Sequence, residues 1–236
     1  MNSKPKNCAT KLPFVFVNMA VTADGKIATA NRAVHTFGSA RDLRHLYELR
    51  ATADAVMCGA RTVEISHSIL DNGGKKFGQL RVQRGLSEHN LRVIVSGSGS
   101  IDPTAEIFQR KFSPIIVLTT KRASAKKLAQ LRLLADEVKV FGERQVNLRS
   151  AMRWLHEKYD VKRLLCEGGG ELNDAMFRAD LVDEIHLTFC PKIFGGRIAP
   201  TIAEGEGFSK LSLTANYQLA STRSIKGELF TVFIRA

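Results

Sequence analysis

The segment LLCEGGGELNDAMF, residues 164–177, joins an apolar run to a helix-like run through three consecutive glycines. The apolar run ends in one acid, Glu167, and the helix-like run begins near Glu171. Glycine is the residue that loses most backbone freedom when it is ordered. Three glycines where a predicted strand meets a predicted helix therefore indicate a special task for the backbone.

A phosphate-binding turn is one such task. A parallel sheet binds ligands at the carboxyl ends of its strands, and the first N–H groups of a helix lack internal partners and carry partial positive charge. The alternative is a tight turn that needs positive φ, but such a turn usually requires only one or two glycines. The triplet is not the G-x-G-x-x-G fingerprint, because Asn173 stands where a further spaced glycine would be, and it is not a P-loop.

Strands and helices alternate from Leu91 to Cys190, which is typical of an α/β layer with a mostly parallel sheet. The last two predicted strands follow one another without a helix and are expected to be antiparallel. Predicted strands cover 12–21, 54–59, 91–96, 114–120, 137–142, 162–167, 183–190 and 229–235, the last paired with 211–221. Predicted helices cover 39–51 with Ser39 as cap, 124–135, 147–159 with Asn147 as cap, and 171–179. Residues 64–90 are predicted to be irregular. The predicted fold class is α/β, with a mostly parallel mixed sheet, helices on both faces and antiparallel C-terminal strands.

Length and composition narrow the class of protein further. Of the 236 residues, 44% are hydrophobic and 25% are charged, as in an ordinary globular chain. No apolar stretch approaches the roughly 18 residues of a membrane span, and the polar, basic start lacks the apolar segment of a secretory signal. We expect residues 1–11 to be a disordered tail, residues 12–236 to form one domain, and the protein to be cytoplasmic.

The spacing of the cysteines indicates no metal site, and the distribution of charge indicates no nucleic acid partner. Cys8, Cys58, Cys166 and Cys190 lack C-x-x-C spacing, which indicates reduced thiols and no metal site. The net charge of +12 is scattered, and aromatic residues make up only 7% of the chain, whereas stacking on single strands needs interleaved aromatics. Neither nucleic acid nor a membrane is an expected partner, although a polyanion-binding module stays open as an alternative. A site for a phosphorylated ligand would account for part of the charge.

Three segments resemble one enzyme family. LLCEGGGELNDAMFRADLVDEIHLTFCPKIFGGRIAPTIAEGEGF (164–208), VNMAVTADGKIAT (17–29) and LRATADAVMCGARTV (49–63) are similar to the riboflavin-pathway pyrimidine reductases, in particular their stand-alone archaeal and fungal type. The resemblance covers nearly the whole chain after the tail and implies the dihydrofolate-reductase-like fold. It implies NADPH-dependent reduction of a phosphoribosylamino-pyrimidine to its ribitylamino product, and leaves open whether the diamino or the deaminated pyrimidine is reduced.

The resemblance also implies site residues. Cofactor contacts are expected at Ala20, Thr62, Ser66, Gly168, Gly169, Gly170, Glu171, Leu172 and Asn173, and substrate contacts at Arg50, Leu70 and Glu167. Ser96 and Gly97 join the cofactor set because they follow a strand at its carboxyl end. From the residues alone, simpler roles stay open: Arg50 could complement the dipole of its helix, and Thr62 could cap a turn.

Other positions are less decisive. Lys121 and Arg122 also follow a strand and would suit the ribose 2′-phosphate of NADPH, although a solvated pair is the simpler explanation. Asp24 and Gly25 form a strong turn signal in their own right. No general acid or base is evident from the sequence, and the catalytic residues stay unknown. The apolar C-terminal strand lies near a sheet edge, which predicts a homodimer.

The chain departs from the family pattern after Thr62. Family members commonly carry a carboxylate where this chain has Ser66-His67-Ser68, and often a polar substrate contact where it has Val34 and His35. The H-x-E…P-C-x-x-C signature of the zinc deaminase found fused to many bacterial relatives is absent from the sequence. A pteridine or dihydrofolate-type reductase on the same fold is therefore kept as an alternative, which only substrate turnover distinguishes.

Overall fold

The computed structural model describes residues 11–32 and 37–236. Its strands are β1 (Phe14–Thr22), β2 (Ala55–Gly59), β3 (Leu91–Ser96), β4 (Ile115–Thr119), β5 (Glu137–Val140), β6 (Arg163–Cys166), β7 (Glu184–Cys190), β8 (Tyr217–Ile225) and β9 (Glu228–Arg235). Its α-helices are α1 (Ala40–Arg50), α2 (Ala60–Ser66), α3 (Lys75–Gln83), α4 (Glu106–Gln109), α5 (Ala125–Leu134), α6 (Leu148–Tyr159) and α7 (Gly170–Arg178).

The strands form one sheet in the order β5-β4-β3-β2-β6-β1-β7-β9-β8. All neighbouring pairs among β1 to β7 are parallel, whereas β9 runs antiparallel to both β7 and β8. The predicted fold class is confirmed, including the antiparallel C-terminal strands. Because seven strands point the same way, their carboxyl ends meet at one edge, which is where α/β sheets bind ligands.

Two hydrophobic clusters cover the two faces of the sheet. Successive residues of a strand point to opposite faces, so Val15 belongs to the cluster under α6 and α7, and Phe16 to the cluster under α1, α2, α4 and α5. Met152 and Met176 are fully buried in the first cluster, and Ile107 in the second. Burial on both faces explains why the central strands are continuous apolar runs.

Residues 64–90 were predicted to be irregular, and this is wrong. The end of α2 and the whole of α3 lie there. The N-caps of these helices are Gly59 and Gly74, and neither makes a side-chain capping bond. Helix starts are recognised mainly by Ser, Thr, Asp or Asn at the cap, so both helices lack that signal, as does the short α4, which begins after Ala105.

The predicted caps of two other helices are confirmed. The Ser39 hydroxyl accepts hydrogen bonds from the backbone N–H groups of Arg41 and Asp42 at the start of α1. The Asn147 side chain accepts one from the Ser150 N–H at 3.0 Å at the start of α6. Each bond satisfies a helix N–H group that has no partner within the helix.

The three cysteines in the described ranges, Cys58, Cys166 and Cys190, are buried and free, as the apolar runs around them predict. Cys8 and the predicted tail, apart from Lys11, lie outside the described residues. Every helix in residues 11–32 and 37–236 is too short or too polar to cross a membrane.

Candidate active site

The three glycines between β6 and α7 have three different reasons to be glycine. Gly168 has φ of +77°, a conformation that side-chain-bearing residues rarely adopt. At Gly170, an added Cβ would lie 2.7 Å from the carbonyl oxygen of Thr201, which leaves no room for a methyl group. Turn geometry therefore explains Gly168, and close packing against the loop at 200–206 explains Gly170.

Gly169 is the glycine that faces the site. Its φ of −57° is ordinary, so backbone conformation does not require glycine here. Its N–H donates to the Thr62 hydroxyl at 2.8 Å, and a Cβ would meet only that hydroxyl, at 3.2 Å. Gly169 is also the N-cap of α7, and the first N–H groups of a helix lack intrahelical acceptors. The free N–H groups in the first turn of α7 and the missing Cβ of Gly169 together suit the binding of an anion. We call this feature the cradle.

The cradle forms one wall of a cavity of about 990 Å³ at the carboxyl edge of β2, β3 and β6. Eight of the predicted contact residues line it: Thr62, Ser96, Gly97, Glu167, Gly169, Gly170, Glu171 and Leu172. They come from three separate segments of the chain, which the parallel sheet brings together. The structure thus places the glycine turn, the loop after β3 and the acid after β6 around one space.

Other predicted contact residues do not line the cavity. Asn173 is fully buried and donates its amide to the Ile202 carbonyl at 2.8 Å, which anchors the loop that covers α7. The Ser66 hydroxyl donates to the Thr62 carbonyl at 2.5 Å. The Leu70 side chain belongs to the core. Ala20, Gly168 and Arg50 are likewise absent from the cavity lining, and Val34 and His35 lie outside the described residues.

Arg50 lies behind Glu167 rather than in the cavity. Its Nε and Nη2 donate to the two carboxylate oxygens of Glu167, each at 2.6 Å. Its Nη1 donates to the carbonyl and the carboxylate of Asp71, at 2.7 and 3.1 Å. Burial lowers the pKa of Arg50, but the Glu167 carboxylate outweighs it, so the net shift is upward and the guanidinium is charged. Glu167 is thereby held in one orientation at the cavity floor.

The far end of the cavity is basic. Arg122 and Arg144 line it, beside the loop of Ser96 and Gly97. Arg122 was predicted together with Lys121, but Lys121 is outside the lining and forms an ion pair with Glu143 at 2.6 Å. Within the described parts of the chain, neither arginine has an ion-pair partner.

An acidic loop with Glu204 and Glu206 forms another wall, and its residues were not among the predicted contacts. Glu206 accepts hydrogen bonds from Arg178 at 3.0 Å and from Gln145 at 2.9 Å, and so links α7 to the loop before α6. Glu204 pairs with Arg32 at 3.4 Å. These partners are far apart in sequence, so no local pattern reveals them.

Comparison with known proteins identifies the family of this chain. The family model described as RibD C-terminal domain matches residues 13–230. A 2,5-diamino-6-ribosylamino-4(3H)-pyrimidinone 5′-phosphate reductase of Archaeoglobus fulgidus is 36% identical over 84% of this chain and 89% of its own length. The protein of the same name from Methanothermobacter thermautotrophicus is 32% identical over 94% of this chain and 97% of its own.

One solved structure supports the fold. A pyrimidine reductase-like protein of Corynebacterium diphtheriae superposes with a TM-score of 0.82, over 95% of this chain and 92% of that one. Its sequence identity to this chain is 21%, so the likeness is one of fold.

Proposed function

This chain belongs to the RibD C-terminal domain family, and we propose that it is a pyrimidine reductase of riboflavin biosynthesis. It reduces a 5-phosphoribosylamino-pyrimidine to the ribitylamino product. The observation that carries the proposal is the agreement between the reductase names of the archaeal relatives and a cavity that combines an anion cradle with one fixed acid.

The residues present fit a nicotinamide cofactor. The cradle at Gly169 accepts a pyrophosphate because a Cβ there would occupy the space that the anion needs. Thr62 fixes the cradle by accepting the Gly169 N–H, and the first turn of α7 offers its free N–H groups. When bound, the cofactor supplies the hydride.

We propose that the cofactor is NADPH rather than NADH. The support is the pair Arg122 and Arg144, whose guanidinium groups suit a ribose 2′-phosphate at the end of the cavity opposite Glu167. The test is to compare the dissociation constants of NADPH and NADH. Equal affinity, or tighter NADH binding, overturns this part of the proposal.

Glu167 lies on the side of the cavity that we assign to the substrate. Both of its oxygens accept hydrogen bonds from Arg50 and keep further lone pairs. They can therefore accept hydrogen bonds from the substrate as well. Reduction of a ring-opened ribosyl imine needs the acceptor carbon held close to the hydride donor, and much of the barrier reduction comes from that positioning. The role of the chain is then to orient two ligands across one cavity.

The proposal is tested by turnover. Purified protein should oxidise NADPH in the presence of the diamino or the deaminated phosphoribosylamino-pyrimidine, and the faster of the two identifies the substrate. Turnover of dihydrofolate alone would assign the chain to the pteridine alternative. Salt-dependent nucleic acid binding without NADPH binding would instead support the polyanion-binding alternative.

A variant tests the cradle itself. Gly169→Val places a branched side chain toward the bound pyrophosphate, while its φ of −57° suits valine. We expect unchanged circular dichroism and loss of the NADPH signal in a titration. Unchanged NADPH affinity would contradict the role of the cradle.

We also propose that the protein is a homodimer that uses the edge of its sheet. β8 is the outermost strand, and its residues between Tyr217 and Ile225 are exposed, including Leu219 at 56%. Long uncovered edge strands favour pairing with another chain. Sedimentation at micromolar concentration tests this, and a monomer would contradict it.

A further inference from the structure

Two helices begin beside the cradle. The N–H of Gly59, the N-cap of α2, donates to the Gly168 carbonyl at 2.7 Å, so the first turn of α2 lies against the glycine turn that precedes α7. The second residue of α2 is Arg61, and the second residue of α7 is Glu171. Both line the cavity, and they form an ion pair between the two helices, from Arg61 Nη1 to Glu171 Oε1 at 3.6 Å. The guanidinium of Arg61 therefore already reaches from α2 to the first turn of α7.

This ion pair is weakly held. Its two atoms are farther apart than in a hydrogen bond, and the side chains of Arg61 and Glu171 are 62% and 72% exposed. By contrast, Arg178, which also lines the cavity, pairs with Asp174 at 2.9 Å and with Glu206 at 3.0 Å. Because exposed ion pairs contribute little to stability, the Arg61 guanidinium can leave Glu171 at small cost.

The position of Arg61 is unfavourable for the helix that carries it. A helix N-terminus carries partial positive charge, which favours acidic side chains in the first turn and disfavours basic ones. The first turn of α2 holds no acid, and Arg61 is its second residue. Glu171, in the first turn of α7, has the favourable sign for its own helix. Helix stability thus explains Glu171 but not Arg61.

We propose that Arg61 is a pyrophosphate-binding residue, whose guanidinium leaves Glu171 and binds the anion held in the cradle when a dinucleotide occupies the cavity. The inference rests on the proposed reductase function, and it deepens that function by assigning a residue that the family resemblance does not imply. Arginine suits this task because its planar fork donates to two phosphate oxygens at once. The Glu171 carboxylate and the pyrophosphate are alternative partners of the same guanidinium.

Binding of ADP and of 2′-AMP to the whole protein, measured by calorimetry, tests this assignment. ADP carries a pyrophosphate but no 2′-phosphate, whereas 2′-AMP carries a 2′-phosphate but no pyrophosphate. Arg61→Gln should raise the dissociation constant of ADP by about tenfold and leave that of 2′-AMP within about twofold, because only ADP loses a charge-assisted hydrogen bond. The dissociation constants of NADPH and NADH should both rise by about tenfold, so that the preference between them is unchanged.

Arg110→Gln is the matched control. Arg110 is 61% exposed and pairs with Glu106 at 3.5 Å, but it does not line the cavity. This variant should bind ADP as the wild type does. Because Arg61 is exposed and unfavourable for its helix, Arg61→Gln should not lower the melting temperature of the protein alone, whereas the rise in melting temperature on adding ADP should shrink. A lower melting temperature without ADP would show that the ion pair is structural, and would overturn the inference.

A second variant tests the exchange from the side of the carboxylate. Glu171→Gln removes the competing partner of Arg61 and a negative charge beside the cradle. It should therefore lower the dissociation constant of ADP by about two- to fivefold, which is the size of effect that an exposed ion pair has. Unchanged or weaker ADP binding in Glu171→Gln would show that the carboxylate does not compete for Arg61, and would overturn the exchange.

The remaining outcomes separate this inference from the proposed function. If Arg61→Gln binds ADP as tightly as the wild type does, the assignment of Arg61 is wrong and the reductase proposal stands. Loss of ribose 5-phosphate binding in Arg61→Gln, with ADP binding unchanged, would place Arg61 at the substrate phosphate and would also overturn the inference. If neither pyrimidine is turned over but the ADP results hold, the proposed function fails and the assignment of Arg61 stands. A wild-type protein that binds neither ADP nor NADPH would overturn both.

Discussion

The arginine behind Glu167 and the two arginines that line the basic end of the cavity differ in burial and in partners. Arg50 is buried and shares its guanidinium between two carboxylates. Arg122 and Arg144 are exposed, line the cavity and have no ion-pair partner among the described residues. A guanidinium that already has its partners organises the protein, whereas one without partners is available to an anion. The two sets of arginines therefore differ in how far their guanidinium groups are available to a ligand.

The largest expected effect comes from replacing Arg50, whose guanidinium already pairs with two carboxylates. Arg50→Leu leaves Glu167 as a buried carboxylate without its partner, and breaking a buried pair from one side costs about 3–5 kcal/mol. Arg122→Leu should change the free energy of unfolding by less than about 0.5 kcal/mol, because that side chain is exposed. Urea unfolding of both variants measures the difference, and equal losses would show that the two ends of the cavity do not differ in this way.

The next effect concerns cofactor choice. Arg122→Ala and Arg144→Ala should each reduce the preference for NADPH over NADH by about 10- to 100-fold, because one hydrogen bond to a charged group contributes about 1.5–3 kcal/mol. NADH affinity should hardly change. Lys121→Ala is the control, since Lys121 pairs with Glu143 and does not line the cavity. If Lys121→Ala has the larger effect, the 2′-phosphate binds elsewhere.

A smaller effect distinguishes two hydroxyls on α2. Thr62 accepts the Gly169 N–H at 2.8 Å, whereas Ser66 donates to the Thr62 carbonyl and faces away from the cavity. Thr62→Val keeps the shape but leaves that N–H without an acceptor, at a cost of about 1–3 kcal/mol. We expect NADPH affinity to fall roughly tenfold in Thr62→Val and to stay within about twofold in Ser66→Ala. A loss in Ser66→Ala as large as that in Thr62→Val would mean that α2 is displaced when the cofactor binds.

The sequence predicted the sheet well because its signals are local. The runs that became β1 and β4 are continuous and apolar, and Ser39 and Asn147 are strong caps. The missed helices α2 and α3 begin after Gly59, where β2 runs directly into a helix, and after Gly74, which looks like part of a turn. Both owe their position to tertiary packing rather than to a helix-start signal.

Part of the cavity lining could be predicted from the sequence. The glycine turn was predicted to bind a ligand, which stays a prediction, but the sequence could not show that Gly168 is required by its positive φ and Gly170 by close packing. The pairing of Arg50 with Glu167 was also hidden, because the two residues lie 117 positions apart along the chain. Pairings of that range are set by the sheet order, which brings the end of α1 and the end of β6 together.

The smallest expected effect compares Arg50 with His45, a half-buried residue on the same helix. Arg50 stays charged because carboxylates surround it, whereas the ring of His45 lies between two other rings, with Glu48 at 4.0 Å. Its ring centre lies 5.5 Å from that of His186 and 5.6 Å from that of Phe230. Burial, and then the neighbouring His186, lowers the pKa of His45 to about 4, although Glu48 opposes the shift. Folding therefore keeps this imidazole neutral.

The sign of the pH dependence follows from that shift. An unfolded histidine gains a proton near pH 6.5, but folded His45 does so only near pH 4, so stability is lost as the pH falls between these values. Allowing for solvent around the ring, we expect roughly 1 kcal/mol less stability at pH 5.5 than at pH 7.5 from His45. His45→Phe should make the melting temperature fall less steeply over this range. Parallel curves for wild type and His45→Phe would mean that folding does not prevent His45 from being protonated in this range. His45 and Arg50 would then differ in their contacts but not in how folding affects their charge.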